Sequence, residues 1–221
     1  MRTSEIDSDM TGVLLAGGRS SRMGGRDKAL LDIAGKPMFL HVLARLRPQV
    51  GRIVINANGD PARFSGHCLP VIEDSLEGYA GPLAGLHAGI AWARRETPEA
   101  RFVASVPVDS PFLPLDLVAR LKTALLDKGA PCAIAASSGE RHPVAGLWRV
   151  ELADDLTAAL QQNVRALHRF ADGQRCAVAE FAPVDIGGVS IDPFFNVNAP
   201  ADLEKARAVF TAKPKPETAR G

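Results

Sequence analysis

The strongest constraint on the fold is a short apolar run that passes directly into paired glycines. Val13-Leu14-Leu15-Ala16 is apolar throughout, which is typical of a central parallel strand covered on both faces, whereas an edge strand would alternate. Gly17 and Gly18 follow. Because glycine lacks a Cβ, this backbone can turn sharply and bring its N–H groups close to phosphate oxygens. The pattern predicts a buried strand that ends in an anion-binding loop.

Basic residues follow the glycines at once. Arg19, Arg22, Arg26 and Lys28 fall within ten residues, and a loop without an anion would gain little from crowding like charges. The spacing matches neither the Rossmann glycine fingerprint nor the P-loop. Two interpretations therefore stay open on these residues alone: a site for a nucleoside triphosphate, which the charge cluster favours, or a solvated glycine-rich surface loop.

Composition excludes several classes of protein. The 221 residues carry 26 basic and 25 acidic side chains, so the chain as a whole has no attraction for nucleic acid or an anionic membrane. No apolar span approaches the roughly 20 residues needed to cross a bilayer. Cys68, Cys132 and Cys176 lack the paired spacing of a zinc site or a disulfide framework. We expect them to be small core residues of a cytoplasmic protein.

Strand-like and helix-like segments alternate along the chain. The predicted strands are 13–16, 52–56, 71–72 and 102–106, and the helices between and after them are marked by Phe39 to Leu46, Leu83 to Ile90 and Leu115 to Leu125. This βαβα order predicts one α/β domain built on a mostly parallel sheet with helices on both faces.

The second half of the chain is less regular. Extended segments are predicted at 133–136, 143–150 and 177–181, a helix over 152–170 with a break near Asn163, and a last helix that Asn198 can cap, with Pro200 in its first turn. We expect a flexible N-terminus over residues 1–10, a domain over 11–210 and a disordered tail over 211–221.

Polar residues recur where the predicted strands end. Asn56, Asp74 and Asp109 each follow an apolar run. Ligands of open parallel sheets bind outside the carboxyl ends of the strands, so these residues should converge with Gly17 on one edge. Asp109 is well placed to hold a divalent metal ion. The alternative is that Asp74 and Asp109 only stabilise turns or cap helices.

Several motifs together resemble a known family. Leu15-Ala16-Gly17-Gly18, Arg22-Met23-Gly24, Lys28 and Gly35-Lys36-Pro37 resemble the start of nucleotidyltransferases of the sugar-nucleotide and cofactor type. The resemblance narrows to the molybdenum cofactor guanylyltransferases through five further stretches, which are Val54-Ile55-Asn56-Ala57-Asn58, Val71-Ile72-Glu73-Asp74, Gly81-Pro82-Leu83-Ala84-Gly85, Arg141-His142-Pro143 and Phe195-Asn196-Val197-Asn198. It covers residues 11 to 209, nearly the whole chain.

This resemblance implies a single Rossmann-like nucleotidyltransferase domain. The implied reaction transfers GMP from GTP to the terminal phosphate of the molybdenum-molybdopterin cofactor, with Mg²⁺, and releases pyrophosphate. The residues implied to bind GTP are Leu15, Ala16, Gly17, Gly18, Lys28, Asn56, Asp74 and Asp109, of which Asp109 also binds the metal. Relatives often have Cys where this chain has Val108, and we expect that side chain to point into the core.

The chemistry of this reaction fits the residue types. A phosphate monoester has a second pKa of about 6, so the attacking oxygen is already ionised at pH 7 and needs no general base. His142 is therefore more simply a structural residue of a His-Pro turn. Lys28 and Arg22 are our candidates, with Asp109, for stabilising charge in the transition state. Asn196 and Asn198 either cap the last helix or face the pterin.

Three other functions are weighed against this one. The chain could be a cytidylyltransferase acting on the same cofactor or another small-molecule nucleotidyltransferase, a GTP-binding module without transfer activity, or an interaction protein. We expect the base to lie between Leu15 to Gly17 and the loop from Gly81 to Gly85, and GTP to be preferred. As partners we expect GTP, molybdenum-molybdopterin and transient contacts with proteins that supply and receive the cofactor. We expect a monomer, with no nucleic acid and no membrane as partner.

Overall fold

The architecture is a twisted sheet with helices packed on both faces. The computed structural model describes residues 9–17, 27–74 and 81–212. In chain order the strands are β1 (Met10–Leu15), β2 (Asp32–Ile33), β3 (Lys36–Pro37), β4 (Arg52–Asn56), β5 (Val71–Ile72), β6 (Phe102–Pro107), β7 (Cys132–Ser137), β8 (Glu140–Arg149), β9 (Ala177–Phe181), β10 (Val184–Ile186) and β11 (Val189–Ile191). The helices are α1 (Met38–Leu46), α2 (Pro82–Glu96), α3 (Leu117–Asp127), α4 (Ala153–Gln161), α5 (Leu167–Gly173) and α6 (Pro200–Thr211).

The main sheet has seven strands in the order β5-β4-β1-β6-β8-β7-β9. β1 pairs in parallel with β4 and with β6, and β4 with β5 and β7 with β9 are also parallel. β8 is the exception, because it runs antiparallel to both β6 and β7. A two-residue turn joins β7 to β8, and both of its residues, Ser138 and Gly139, have positive φ, as tight hairpin turns require. The predicted mostly parallel α/β fold is confirmed.

Hydrophobic residues fill both sides of this sheet. All six residues of β1 are buried, as the continuous apolar run predicted. One face packs against α1 and α3 through residues such as Phe39 and Leu121, and the other packs against α2, α4 and α5 through residues such as Ile90 and Leu156. Each fully buried side chain of this size contributes about 1.5–3 kcal/mol to stability. The sheet is therefore a rigid support for whatever lies at the ends of its strands.

Two smaller hairpins, β2–β3 and β10–β11, were not predicted. They pack with α6 in a third apolar cluster that includes Ile33, Ile191 and Val209. Their strands are only two or three residues long, too short to leave a periodic pattern in the sequence. Among the described residues, no helix is both long and apolar enough to cross a membrane.

Several local predictions need correction. α3 begins at Leu117 rather than Leu115, and Leu115 is 63% exposed because Leu113 and Leu117 occupy the buried positions on either side. Cys68 is exposed rather than in the core, in a turn where its φ is +52°. The predicted break near Asn163 is confirmed, since α4 and α5 are separate and Asn163 has a φ of +61°.

The start of the last helix also differs from the prediction. The residue at the N-cap position of α6 is Ala199. The backbone N–H groups of Asn198 and Ala199 both donate to Oδ2 of Asp202, at 2.9 and 2.8 Å. The prediction that the Asn198 side chain caps this helix is therefore wrong, because Asp202 satisfies the end of the helix from within its first turn. The boundaries predicted for the domain stay predictions, although β1 starts at Met10 and α6 ends at Thr211.

Close packing of α2 on β1 generates a test of this fold. A Cβ at Gly89 would lie 2.5 Å from Cγ2 of Val13, well inside van der Waals contact. We predict that Gly89→Ala lowers the free energy of unfolding by about 1–3 kcal/mol, measured by urea denaturation. Gly173→Ala is the control, because nothing lies within 4 Å of a Cβ there, and its stability should be unchanged or higher by up to about 1 kcal/mol. Equal stability of the two variants would contradict the packing.

Candidate active site

A cavity of about 370 Å³ lies at the carboxyl ends of β1, β4 and β6. Six of the residues predicted from the sequence line it, namely Leu15, Gly17, Lys28, Asn56, Asp109 and Asn196. They come from five separate parts of the chain, and the parallel strands bring most of them together. Gly18 and Arg22, which were also predicted, lie outside the described residues.

One side of the cavity is built on hydrogen bonds around a buried asparagine. Asn56 is 2% exposed, and its Nδ2 donates to Oδ1 of Asp74 at 3.1 Å and to the carbonyl of Ile72 at 3.4 Å. Asn58 holds the same carboxylate, because its Nδ2 donates to Oδ2 of Asp74 at 2.8 Å. Asp74 does not line the cavity itself. Asp74 instead accepts a hydrogen bond from the Asn56 amide and so orients that amide.

The backbone continues the parallel pairing of the strands into this edge. The N–H of Ala16 donates to the carbonyl of Asn56 at 2.8 Å, and the N–H of Val108 donates to the carbonyl of Leu15 at 3.3 Å. Ala16 and Val108 are both buried, so Val108 occupies the core as expected. These bonds fix the segments that carry Gly17 and Asp109 relative to one another.

The start of α2 approaches Asn56 so closely that only glycine fits. A Cβ on Gly85 would lie 2.2 Å from Oδ1 of Asn56 and 2.8 Å from Cδ2 of Leu15. Gly81 precedes the helix with a φ of +139°, a backbone conformation that favours glycine. The predicted loop from Gly81 to Gly85 is therefore the first turn of a helix. Gly85 in this turn leaves the space that the Asn56 amide occupies.

Lys28 and Asp109 both line the cavity and lie close to each other. Nζ of Lys28 lies 3.5 Å from Oδ2 of Asp109 and donates to Oδ1 of Asn198 at 2.6 Å. Lys28 opens a short 3-10 helix, and Asp27 caps that helix by accepting from the N–H of Ala29. Burial raises the pKa of the Asp109 carboxyl above its ordinary value, while the Lys28 ammonium opposes the shift. A bound cation would further favour the ionised carboxylate.

The segment before α6 packs beside Lys28 and Asp109. The N–H of Val197 donates to the carbonyl of Asp109 at 2.9 Å, and Oγ of Ser110 donates to Oδ1 of Asn196 at 2.6 Å. Asn196 lines the cavity, whereas the side chain of Asn198 holds Lys28. Of the two asparagines only Asn196 faces the cavity, and a role of either residue toward the pterin stays a prediction.

A bulge in β8 forms the opposite wall of the cavity. Ile134 of β7 pairs with Gly146, but the next residue, Ala135, pairs with His142, so three residues of β8 are left unpaired between them. Oγ of Ser105 fixes the bulge by donating to the carbonyl of Val144 at 2.8 Å. Pro143, which has no N–H to give to a ladder, lies within the bulge, as proline in a strand requires.

Sequence reasoning missed part of this wall. Arg141, His142 and Pro143 line the cavity with Ser110 and Phe194, yet only the resemblance drew attention to the first three, and His142 was interpreted as a turn residue. A proline inside an extended segment was a usable signal for a bulge. Ser110 and Phe194 carried no comparable signal, because their positions depend on the contact between the segment before α6 and Asp109.

A metal site of protein ligands alone is not present in the described ranges. Within residues 9–17, 27–74 and 81–212, no three His, Cys, Asp or Glu side chains are grouped so that they can hold a metal ion. Mg²⁺ is commonly bound through one or two carboxylates plus substrate phosphates. The carboxylate of Asp109, which lines the cavity, fits that second arrangement.

These features are those of a nucleotidyltransferase, and residues 12–177 match the family model of the MobA-like NTP transferase domain. A molybdenum cofactor guanylyltransferase from Rhodopseudomonas palustris (strain BisB5) is 47% identical over 198 residues, which are 89% of this chain and 92% of that protein. The chain therefore belongs to the molybdenum cofactor guanylyltransferase family.

Solved structures show that the fold itself is shared more widely. Molybdopterin-guanine dinucleotide biosynthesis protein A from Archaeoglobus fulgidus has a TM-score of 0.67 at 22% identity, over 90% of this chain and 97% of that one. A 4-diphosphocytidyl-2C-methyl-D-erythritol synthase from Anaerococcus prevotii has a TM-score of 0.68 at 11% identity, over 92% and 96%. Similarity at these identities concerns the fold alone. The choice of nucleotide depends on the site.

The contact between α2 and Asn56 gives a prediction that distinguishes an effect on substrate binding from an effect on folding. In Gly85→Ala the new Cβ must displace the Asn56 amide, so we predict that KM for GTP rises about tenfold, the scale of losing one hydrogen bond of about 1.4 kcal/mol. Gly89→Ala is the matched control, because the same helix there meets Val13 in the core. Steady-state kinetics on both variants make the comparison, and an equal KM for GTP in both would contradict the role given to Asn56.

Proposed function

We propose that this chain transfers GMP from GTP to the terminal phosphate of the molybdenum-molybdopterin cofactor and releases pyrophosphate. The observation that carries this proposal is the cavity at the carboxyl ends of β1, β4 and β6, which is lined by Lys28 and Asp109 with Nζ and Oδ2 3.5 Å apart. Family membership supports the identity of both substrates. On this view Leu15, Ala16, Gly17 and Gly18 contact the nucleotide, with Asn56 and Asp74 at its guanosine end.

The reaction needs an oriented pair of anions rather than a proton acceptor. The terminal phosphate of the acceptor has a second pKa of about 6, so its oxygen is ionised at pH 7 and attacks the α-phosphorus of GTP directly. A new P–O bond forms there as the bond to the β-phosphate oxygen breaks, and pyrophosphate leaves with the electron pair. Holding the two substrates together in line accounts for a large part of such a rate acceleration.

The cationic side chains act on the charge that develops. The Lys28 ammonium, fixed between Asp109 and Asn198, is placed to neutralise charge that grows on the leaving pyrophosphate. We assign the same task to Arg22. Preorganised charges of this kind are effective because they need no reorganisation during the reaction.

Asp109 is the residue we propose to hold Mg²⁺. Its carboxylate lies in the cavity, is 23% exposed, and has Lys28 at 3.5 Å, which leaves room for further ligands from substrate phosphates. Mg²⁺ bound there would act as a Lewis acid that stabilises negative charge on the phosphates. The residues present therefore fit the metal that this class of reaction uses.

We also propose a setting for the reaction. The net charge of +1 supports a protein that binds neither nucleic acid nor an anionic membrane. We propose that the enzyme works in the cytoplasm as a monomer and makes transient contacts with the proteins that supply the molybdenum-molybdopterin and receive the product.

Lys28 is the first residue to test. We predict that Lys28→Ala lowers kcat about 10²- to 10³-fold, the scale of losing one preorganised electrostatic group, with little change in melting temperature. Lys128→Ala is the control, since Lys128 is an exposed lysine at the end of α3. A Lys28→Ala enzyme with near-normal turnover would remove this residue from the mechanism.

Asp109 is tested by its dependence on metal. Asp109→Asn removes a negative ligand, so we predict a steep loss of activity that is partly recovered at high Mg²⁺ or with Mn²⁺. Activity is measured against metal concentration beside Asp127→Asn, an exposed aspartate of α3. If the metal dependence of Asp109→Asn matches that of the wild type, Asp109 is not the metal ligand.

The choice of nucleotide tests the function as a whole. A base that leaves a buried donor or acceptor of the site unpaired costs about 1–3 kcal/mol, so we predict that GTP is preferred over CTP at least tenfold and that ATP is a poor substrate. The assay is pyrophosphate release with molybdenum-molybdopterin as acceptor and each nucleotide in turn. Equal use of CTP would instead identify a cytidylyltransferase, and release with no nucleotide would reject transfer altogether.

A further inference from the structure

Two stacked aromatic rings form part of the cavity wall. His142 from β8 and Phe194 from the segment before α6 both line it, with ring centroids 4.6 Å apart and ring planes at 25°. Between this pair and the nucleotide side lies β6, because the sheet order puts β1 and β4 on one flank of that strand and β7 and β8 on the other. The stacked pair therefore belongs to the half of the cavity that is left for the acceptor.

The hydrogen bonds behind His142 determine which of its nitrogens carries the proton. Oγ of Ser137 lies 2.7 Å from Oδ2 of Asp192 and 2.8 Å from Nε2 of His142. An ionised carboxylate only accepts, so the single hydroxyl proton of Ser137 goes to Asp192, and Nε2–H of His142 must donate to Oγ. In the neutral ring Nδ1 is then an acceptor. Within the part of the chain that the structure describes, no hydrogen bond engages Nδ1.

The burial of the imidazole favours its neutral form. Burial lowers the pKa of His142, although the carboxylates of Asp192, Glu140 and Glu180 oppose that shift. Ser137 is itself 1% exposed, so water does not compete for its hydroxyl. The other oxygen of Asp192, Oδ1, accepts from the N–H of Phe194 at 2.8 Å. One carboxylate thus fixes both rings of the stacked pair.

We propose that Ser137 and Asp192 are positioning residues that hold His142 as an Nδ1 hydrogen-bond acceptor, and that His142 and Phe194 select the acceptor substrate. The substrate feature recognised is a planar heterocycle that lies along the aromatic wall and donates an N–H to Nδ1, as the pterin of molybdopterin can. This assignment rests on the proposed function, because it gives the acceptor this half of the cavity.

Two substitutions of His142 distinguish the roles of its two ring nitrogens. In His142→Gln the amide nitrogen reaches the position of Nε2 and keeps the donor to Ser137, but the acceptor at Nδ1 is lost. In His142→Asn the amide oxygen replaces Nδ1, and the donor to Ser137 is lost. We predict that His142→Gln raises KM for molybdenum-molybdopterin about tenfold, the scale of one unpaired hydrogen-bonding group, and that His142→Asn recovers part of that loss. KM for GTP should be unchanged in both.

Ser137→Ala tests the positioning role. The substitution removes the hydroxyl oxygen that accepts from Nε2–H of His142, but it leaves the hydrogen bond between Phe194 and Asp192 in place. We therefore predict an increase in KM for the acceptor and none in KM for GTP. His67→Gln is the matched control, because His67 also lies against a phenylalanine ring, at 5.0 Å from Phe39, but does not line the cavity. Thermal denaturation of every variant confirms that it is folded.

The outcomes distinguish this inference from the proposed function. If the wild type transfers GMP and His142→Gln has the wild-type KM for the acceptor, the inference is overturned and the function stands. If the wild type transfers no GMP, the proposed function fails, and binding of free pterin, followed by its fluorescence, decides the rest. Weaker pterin binding by His142→Gln than by the wild type would then support the inference, and equal or undetectable binding by both would overturn it.

Discussion

The ammonium of Lys28 lies between the carboxylate of Asp109 and the amide oxygen of Asn198, and the rest of the site depends on this contact. The two partners are 81 and 170 residues away in the sequence. The three residues are placed by separate elements. Lys28 opens a capped 3-10 helix, Asp109 follows β6, and Asn198 precedes α6. Burial already raises the pKa of Asp109. The Lys28 charge therefore both joins these segments and keeps that carboxyl closer to its ionised form.

The two sides of the cavity are shaped by different backbone features. On the side of β1 and β4, parallel strands end together, and Gly85 lets α2 approach close to Asn56. On the side of β7 and β8, the antiparallel strand β8 carries a bulge, and His142 and Pro143 line the cavity there. A regular sheet edge supplies a rigid platform, and the bulge redirects side chains that a regular strand would bury or expose in alternation.

The sequence predicted the parts of this protein that depend on local pattern. The buried run of β1, the polar residues at the carboxyl ends of β4 and β6, and the break at Asn163 follow from periodicity and from the rules for parallel sheets. The antiparallel β8, its bulge and the bond between Ser137 and Asp192 do not, because they depend on side chains up to 55 residues apart. The prediction of the residue that caps α6 was wrong for a related reason. Asn198 and Asp202 are both suitable capping residues, and the Asn198 side chain is engaged by Lys28 instead.

We place the nucleotide on the side of β1 and β4 and the acceptor on the side of β7 and β8, with Asp109 between them. A crystal structure of the protein soaked with GTP and Mg²⁺ measures this most directly. We predict guanine beside Leu15, Gly17 and Asn56, and phosphates at Lys28 and Asp109. Guanine stacked against His142 and Phe194 would contradict it.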